Sequence, residues 1–281
     1  MDRTHHFFGQ AEVLSGHLNI PLMQDIKQQA FVKLPAEGGY RSEQAQNYRL
    51  EGVISFETAY TQVSGSQSRK TGHGWNTLVT SAITGLNVLD VVTADRVVAQ
   101  ISTEHPLEGY TPIVTFLGTR FENLKIGGHP VNPVLDLAIC GPKPNNDQQY
   151  IQDPGFLGRV GQQYAQINSA KGVPDLIAKK YNASLLNPAK IKTQAAAAQS
   201  NPNQTPKPTI ECSLVNSVAQ GLPGTSFGHV IDVPNFGTVY LANLIVDDDS
   251  FNLTMIKLDL GCVADGNADM GNGIVNGKTV P

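Results

Sequence analysis

Charge is what this sequence has least of. Asp, Glu, Lys and Arg make up 16% of its 281 residues, against about a quarter in an ordinary soluble domain. With a formal net charge of −4 there is no clustered Lys/Arg surface to neutralise phosphates, and nucleic acid is not an expected partner. The densest basic groups, "AKKY" and "AKIKT", fall in a helical-looking region and read as its solvated face. No apolar run approaches the roughly 20 residues that cross a bilayer as a helix, so no membrane partner is expected either. The opening "MDRTHHFFGQAEV" lacks the basic, apolar and small-residue order of a secretory signal. Cys140, Cys212 and Cys262 form no CxxC pair; they allow one disulfide and a leftover thiol, or three reduced thiols. With no signal in view, the expectation is a reduced, cytoplasmic protein, although a mature exported chain with a replacement Met reads the same.

Motifs are scarce too. No GxGxxG follows a strand and no GxxxxGK[ST] occurs, so no nucleotide cofactor is implied. No nucleophile elbow, a GxSxG turn between strand and helix, is read. HExxH and HxH are absent.

Where charge is missing, Gly, Asn, Gln, Ser and Thr take its place, with 27 glycines and 17 prolines. That composition favours turns and hydrogen-bonded strands. Over residues 1–145, "QQAFVKL" alternates Ala30, Val32 and Leu34 against Phe31 and Lys33. "LEGVISFETAYTQV" puts Leu50, Ile54, Phe56 and Tyr60 on one face, and "ADRVVAQISTEH" sets Val97, Ala99 and Ile101 against Gln100, Ser102 and Glu104. Period two marks half-buried strands. Gly127-Gly128 suits a tight turn, and the phase break after Phe121 predicts a bulge near Glu122-Asn123.

Residues 146–199 change character. Asp153 precedes Pro154 as an N-cap, Gly172 stops that helix, and Pro174 and the Asn187-Pro188 pair open two more. Their narrow apolar faces predict loose packing. Residues 200–209 form a Pro-rich connector. From 210 to 281 strands return: "TVYLANLIV" is apolar on both faces, as in a central strand. Two strands alone are marginal, so these complete the sheets begun before the helices. The fold class is therefore all-β, an antiparallel sandwich or flattened barrel with a short helical insertion.

"SGHLNIPL" and "FGHVIDVPNF" share a Gly-His step leading towards a proline. If they enter equivalent strands, His17 and His229 approach each other. His73, between glycines and beside the only tryptophan, would join them as a catalytic set, and His6 or His129 could add a metal ligand. The plainer reading makes each His a turn cap and each proline the end of ladder pairing. Trp75, His129 and Glu104 are the candidate ligand contacts. Adjacent strand residues face opposite ways, so Glu104 and His105 cannot pair with each other, and "STEHP" reads as a strand end. Asp247, Asp248 and Asp249 read as a solvated hairpin turn. Asp265, Asn267 and Asp269 alternate like the start of a calcium loop, but Met270 and Asn276 stand where its Gly and Glu belong, which leaves a glycine-rich, poorly ordered tail as the competing account.

Two functions are compatible with this pattern. One is a non-enzymatic ligand-binding or self-assembling β protein, partnered by a small molecule or by copies of itself through edge strands. The alternative is a small-molecule hydrolase, lyase or isomerase using histidines at one end of the β domain, with or without a divalent metal.

Overall fold

The computed structural model describes residues 4–21, 23–145, 148–200, 206–218, 225–248, 250–261 and 264–280. The first half is almost continuous strand: β1 (Thr4–Ile20), β2 (Gln24–Gln29), β3 (Val32–Lys33), β4 (Gly39–Leu50), β5 (Ile54–Gln67), β6 (Trp75–Val88) and β7 (Val92–His105). Five short strands follow, β8 (Ile113–Thr115), β9 (Arg120–Glu122), β10 (Lys125–Ile126), β11 (His129–Pro130) and β12 (Val134–Leu135). The helices are α1 (Pro154–Ser169), α2 (Asp175–Lys180) and α3 (Pro188–Ser200). Strands then resume as β13 (Ile210–Ser213), β14 (Val215–Ser217), β15 (Thr225–Phe227), β16 (Val230–Val233), β17 (Gly237–Val246), β18 (Ser250–Gly261) and β19 (Asp265–Val280).

The long strands form two antiparallel sheets. The first runs β15-β16-β17-β18-β19-β1-β2, with β13 on β17 and β3 on β1; the second runs β11-β10-β7-β6-β5-β4, with β8 and β9 on β7. They pack face to face, close enough that a Cβ added at Gly9 or Gly273 would stand 3.0 Å from Val79 of the opposite sheet. The result is an all-β sandwich. Its chain ends are central to it: β19 pairs with β1 from Thr4↔Val280 to Ile20↔Asp265. The tail expected after Asp265 is therefore an interior strand, because its glycines admit close neighbours while Ala268, Met270 and Val275 fill the core.

Each sheet is crossed by a crease. Asn47, Gly85 and Asn123 have φ of 51°, 66° and 50° and share a row with Glu57 and Asp95, where ladder pairing is interrupted. In the other sheet, Ala242 and Gly271, with φ of 45° and 65°, share a row with Met255 and Val13. A left-handed residue turns the strand so that the buried set changes parity. On β5, Ile54 and Phe56 are buried before the row and Ala59, Thr61 and Val63 after it, while Tyr60 faces outward. Constant alternation had placed Tyr60 with Phe56. Ala30, at φ 47°, likewise splits the expected "QQAFVKL" strand into β2 and β3.

The helices cover the sheet around β13, β16 and β17, which explains why β17 is buried on both faces. Asp153 caps α1, its carboxylate accepting from Phe156 N at 2.7 Å. Packing is firmer than the apolar faces suggested. Phe156, Leu157, Val160, Tyr164 and Ile167 are all buried, and the Gln163 amide bonds both the carbonyl (2.8 Å) and the N–H (3.1 Å) of Ser213. The connector's residues 201–205, together with Asp249 and Cys262, lie outside the described residues.

A candidate ligand site at one end of the sandwich

Beyond the creases, the inward positions of four strands converge on one end of the sandwich. β1 contributes His5, β6 Trp75, β7 His105 and β19 Thr279. Register fixes them in pairs, His5 opposite Thr279 and Trp75 opposite His105. All four are buried, with His105 only 2% exposed. The His5 ring stacks on Trp75 at 5.1 Å and 10°, meets Phe7 edge-on at 4.6 Å, and lies 4.6 Å from the His105 ring.

His5 Nδ1 and the Thr279 hydroxyl are hydrogen-bonded at 3.0 Å. His5 Nε2 has no protein partner, and neither ring nitrogen of His105 meets one at hydrogen-bond geometry. The Tyr110 backbone lies near enough to His105 to favour its protonation slightly, but burial and the His5 ring outweigh it and bring its pKa down to about 4. Burial, then the neighbouring His6, does the same to His5, also to about 4. Both imidazoles are neutral at pH 7, each with a lone pair to offer. On the next inward pair, Thr77 and Thr103, both hydroxyls are buried without a partner as well. Orphaned polar atoms at this density are uncommon in a settled core.

His105 also lines a cavity of about 380 Å³, shared with Tyr110, Thr111, Tyr150, Phe251 and Thr279 and flanked by Asp247, Asp248 and Lys278. The Asp247 carboxylate accepts from the Ser250 N–H and hydroxyl (2.6 and 2.8 Å), capping the β17–β18 turn as an acidic hairpin should. The arrangement suits capture of a small polar ligand with one apolar face.

The expected histidine set is not gathered here. His17 stands on β1, half-exposed, bonded to Asp25 at 2.8 Å. His229 is in the β15–β16 turn, at the opposite side of the same sheet, four or more inter-strand spacings of about 4.8 Å away. It is buried against Tyr181, whose hydroxyl meets its Nε2 at 3.0 Å; burial, then Lys180, lowers its pKa to about 3. The two Gly-His segments are thus unlike, one mid-strand and one a turn. His73 pairs through Nδ1 with Glu104, half-buried and lying outward from His105. His129 is exposed on β11, and His6 is exposed on β1.

Asp265, Asn267 and Asp269 lie on strand β19 rather than in a loop. Asp265 accepts from Asn19 (3.0 Å), Asn267 Oδ1 accepts from the His17 N–H (3.2 Å), and Asp269 sits opposite Lys257. Burial pushes the Asp269 carboxyl up. Among the described residues no three His, Cys, Asp or Glu side chains gather as a metal-ligand cluster. Residues 224–228, "GTSFG", match GxSxG in letters, but Ser226 is exposed on β15 and a hairpin follows, not a helix.

Of the expected ligand contacts, Trp75 packs on His5 but is not part of the cavity wall. His5, His105 and Thr279 were missed. The available signal was the alternation of His5, Phe7, Gly9, Ala11 and Val13 in the opening stretch, which was weighed only for a secretory signal and not for strand periodicity.

Residues 5–247 match the family described as "Domain of unknown function (DUF8256)", and the chain belongs to that family. No curated protein and no solved structure shows significant similarity to the chain.

Proposed function

We propose that this member of a family without an assigned activity is a non-enzymatic binding protein that holds a small ligand in the cavity at the His105 end of the sandwich. The observation that carries the reading is a cavity of about 380 Å³ whose wall includes a buried imidazole with unsatisfied ring nitrogens. The volume lies in the usual range for small-molecule sites, about 300–1,000 Å³. The lining has the usual mixture: Phe251 and Tyr150 offer apolar surface, while Thr111, Thr279 and His105 offer hydrogen bonds. Unpaired buried polar groups are costly, of order 1–3 kcal/mol each, and a ligand that satisfies them recovers that cost.

Thermal-shift screening of the full chain against a panel of polar metabolites, followed by calorimetry, tests this. The expected result is a saturable one-to-one ligand, unchanged on recovery, whose affinity falls at least tenfold in His105→Gln. A flat panel, or turnover of the bound compound, overturns it.

A further inference from the structure

Gly277 of β19 lies between the two orphaned imidazoles. A Cβ at that position would stand 2.7 Å from His5 Nε2 and 2.9 Å from His105 Nε2. Both nitrogens therefore face the same few ångströms of space, and the absence of a side chain there lets them do so. His5 is held from behind by the Thr279 hydroxyl on its Nδ1, and His105 has the Tyr110 backbone beside its ring. In His5, one ring nitrogen tethered and the other presented is how ligating histidines are commonly oriented.

We propose that His5 and His105 ligate one transition-metal ion through their Nε2 atoms, on the cavity side of Gly277. Imidazole donors select Zn²⁺, Cu²⁺, Ni²⁺ or Co²⁺ over Mg²⁺ and Ca²⁺. Such an ion would bond each nitrogen at about 2.0–2.1 Å. Two protein ligands leave further positions open, and Gly277, beside both nitrogens, lines the same cavity as His105 and Thr279. Solvent or a donor atom of a cavity ligand fills them. The inference shares its place with the cavity reading but does not need an organic ligand to be present.

The test is titration of the chelator-treated full chain with Zn²⁺, and with Co²⁺ as a coloured probe, in the absence of any organic ligand. One equivalent should bind, and ¹H–¹⁵N imidazole spectra of the unmutated protein should show His5 and His105 becoming metal-bound at Nε2. Binding should weaken at least tenfold in His5→Gln and in His105→Gln, and stay unchanged in His17→Gln, which removes a half-exposed imidazole near the other end of β1. No Zn²⁺, Co²⁺, Cu²⁺ or Ni²⁺ binding by the folded protein overturns the proposal, as does binding that leaves the His5 and His105 resonances unmoved. Metal binding with a flat metabolite panel would sink the cavity reading and leave this one standing. The reverse result would do the opposite.

Discussion

At the scale of single residues, three imidazoles stand out because burial holds their pKa values well below the usual histidine range. His5 and His105 are brought to about 4 and His229 to about 3, in each case chiefly by burial. An unfolded chain protonates these side chains near pH 6.5, so between about pH 6.5 and 4 it binds more protons than the folded one. Stability is therefore full above that window and falls as the pH drops through it, by roughly 1–2 kcal/mol per imidazole between pH 7 and 5. Asp269, whose carboxyl is pushed up by burial, pulls weakly the other way. Urea unfolding at pH 7 and pH 5 should show the loss, and His105→Gln should shrink it by about a third. An equal or greater stability at pH 5 would mean that these rings are not buried as neutral groups. None of this was legible in the residues themselves. A lone His in a polar-looking stretch carries no mark of the desolvation it will meet.

At the scale of elements, the creases explain which sequence patterns were readable. Alternation identified β5 and β7 because period two holds within each half-strand. It misassigned Tyr60 because one left-handed residue row reverses parity without any strong local signature. Asn47 is a position where that geometry can be probed on the surface, at φ 51° and exposed. Asn47→Gly should be nearly neutral, since both residues tolerate left-handed backbone. Asn47→Val should cost about 1–2 kcal/mol by the same reasoning. Equal stabilities for the two variants in thermal unfolding would remove the crease as a backbone constraint. The helix starts, by contrast, were plain in sequence, because caps and prolines act over three or four residues: Asp153 and Asn187 each accept from N–H groups of the first turn.

At the scale of the whole molecule, the helical segment and the strands on either side of it share one core. Tyr181 on the helical side meets His229 on the sheet side, and Gln163 is hydrogen-bonded to Ser213. Helix and sheet should unfold in a single transition, with far-UV signals at helix and strand wavelengths superimposing. Tyr181→Phe should destabilise that transition by about 1–3 kcal/mol, because it leaves a buried imidazole nitrogen unpaired. Separate melting of the helical signal would show that the insertion is a unit of its own. The all-β class, the helical interval and the central position of β17 were determined by the sequence, since alternation, capping and two-sided apolarity are local properties. Tertiary structure alone decided that β19 closes against β1 and that the creases turn His5, Trp75, His105 and Thr279 inward together. Their convergence depends on pairings across more than 270 residues, as between His5 and Thr279, and no short-range pattern encodes a contact of that separation.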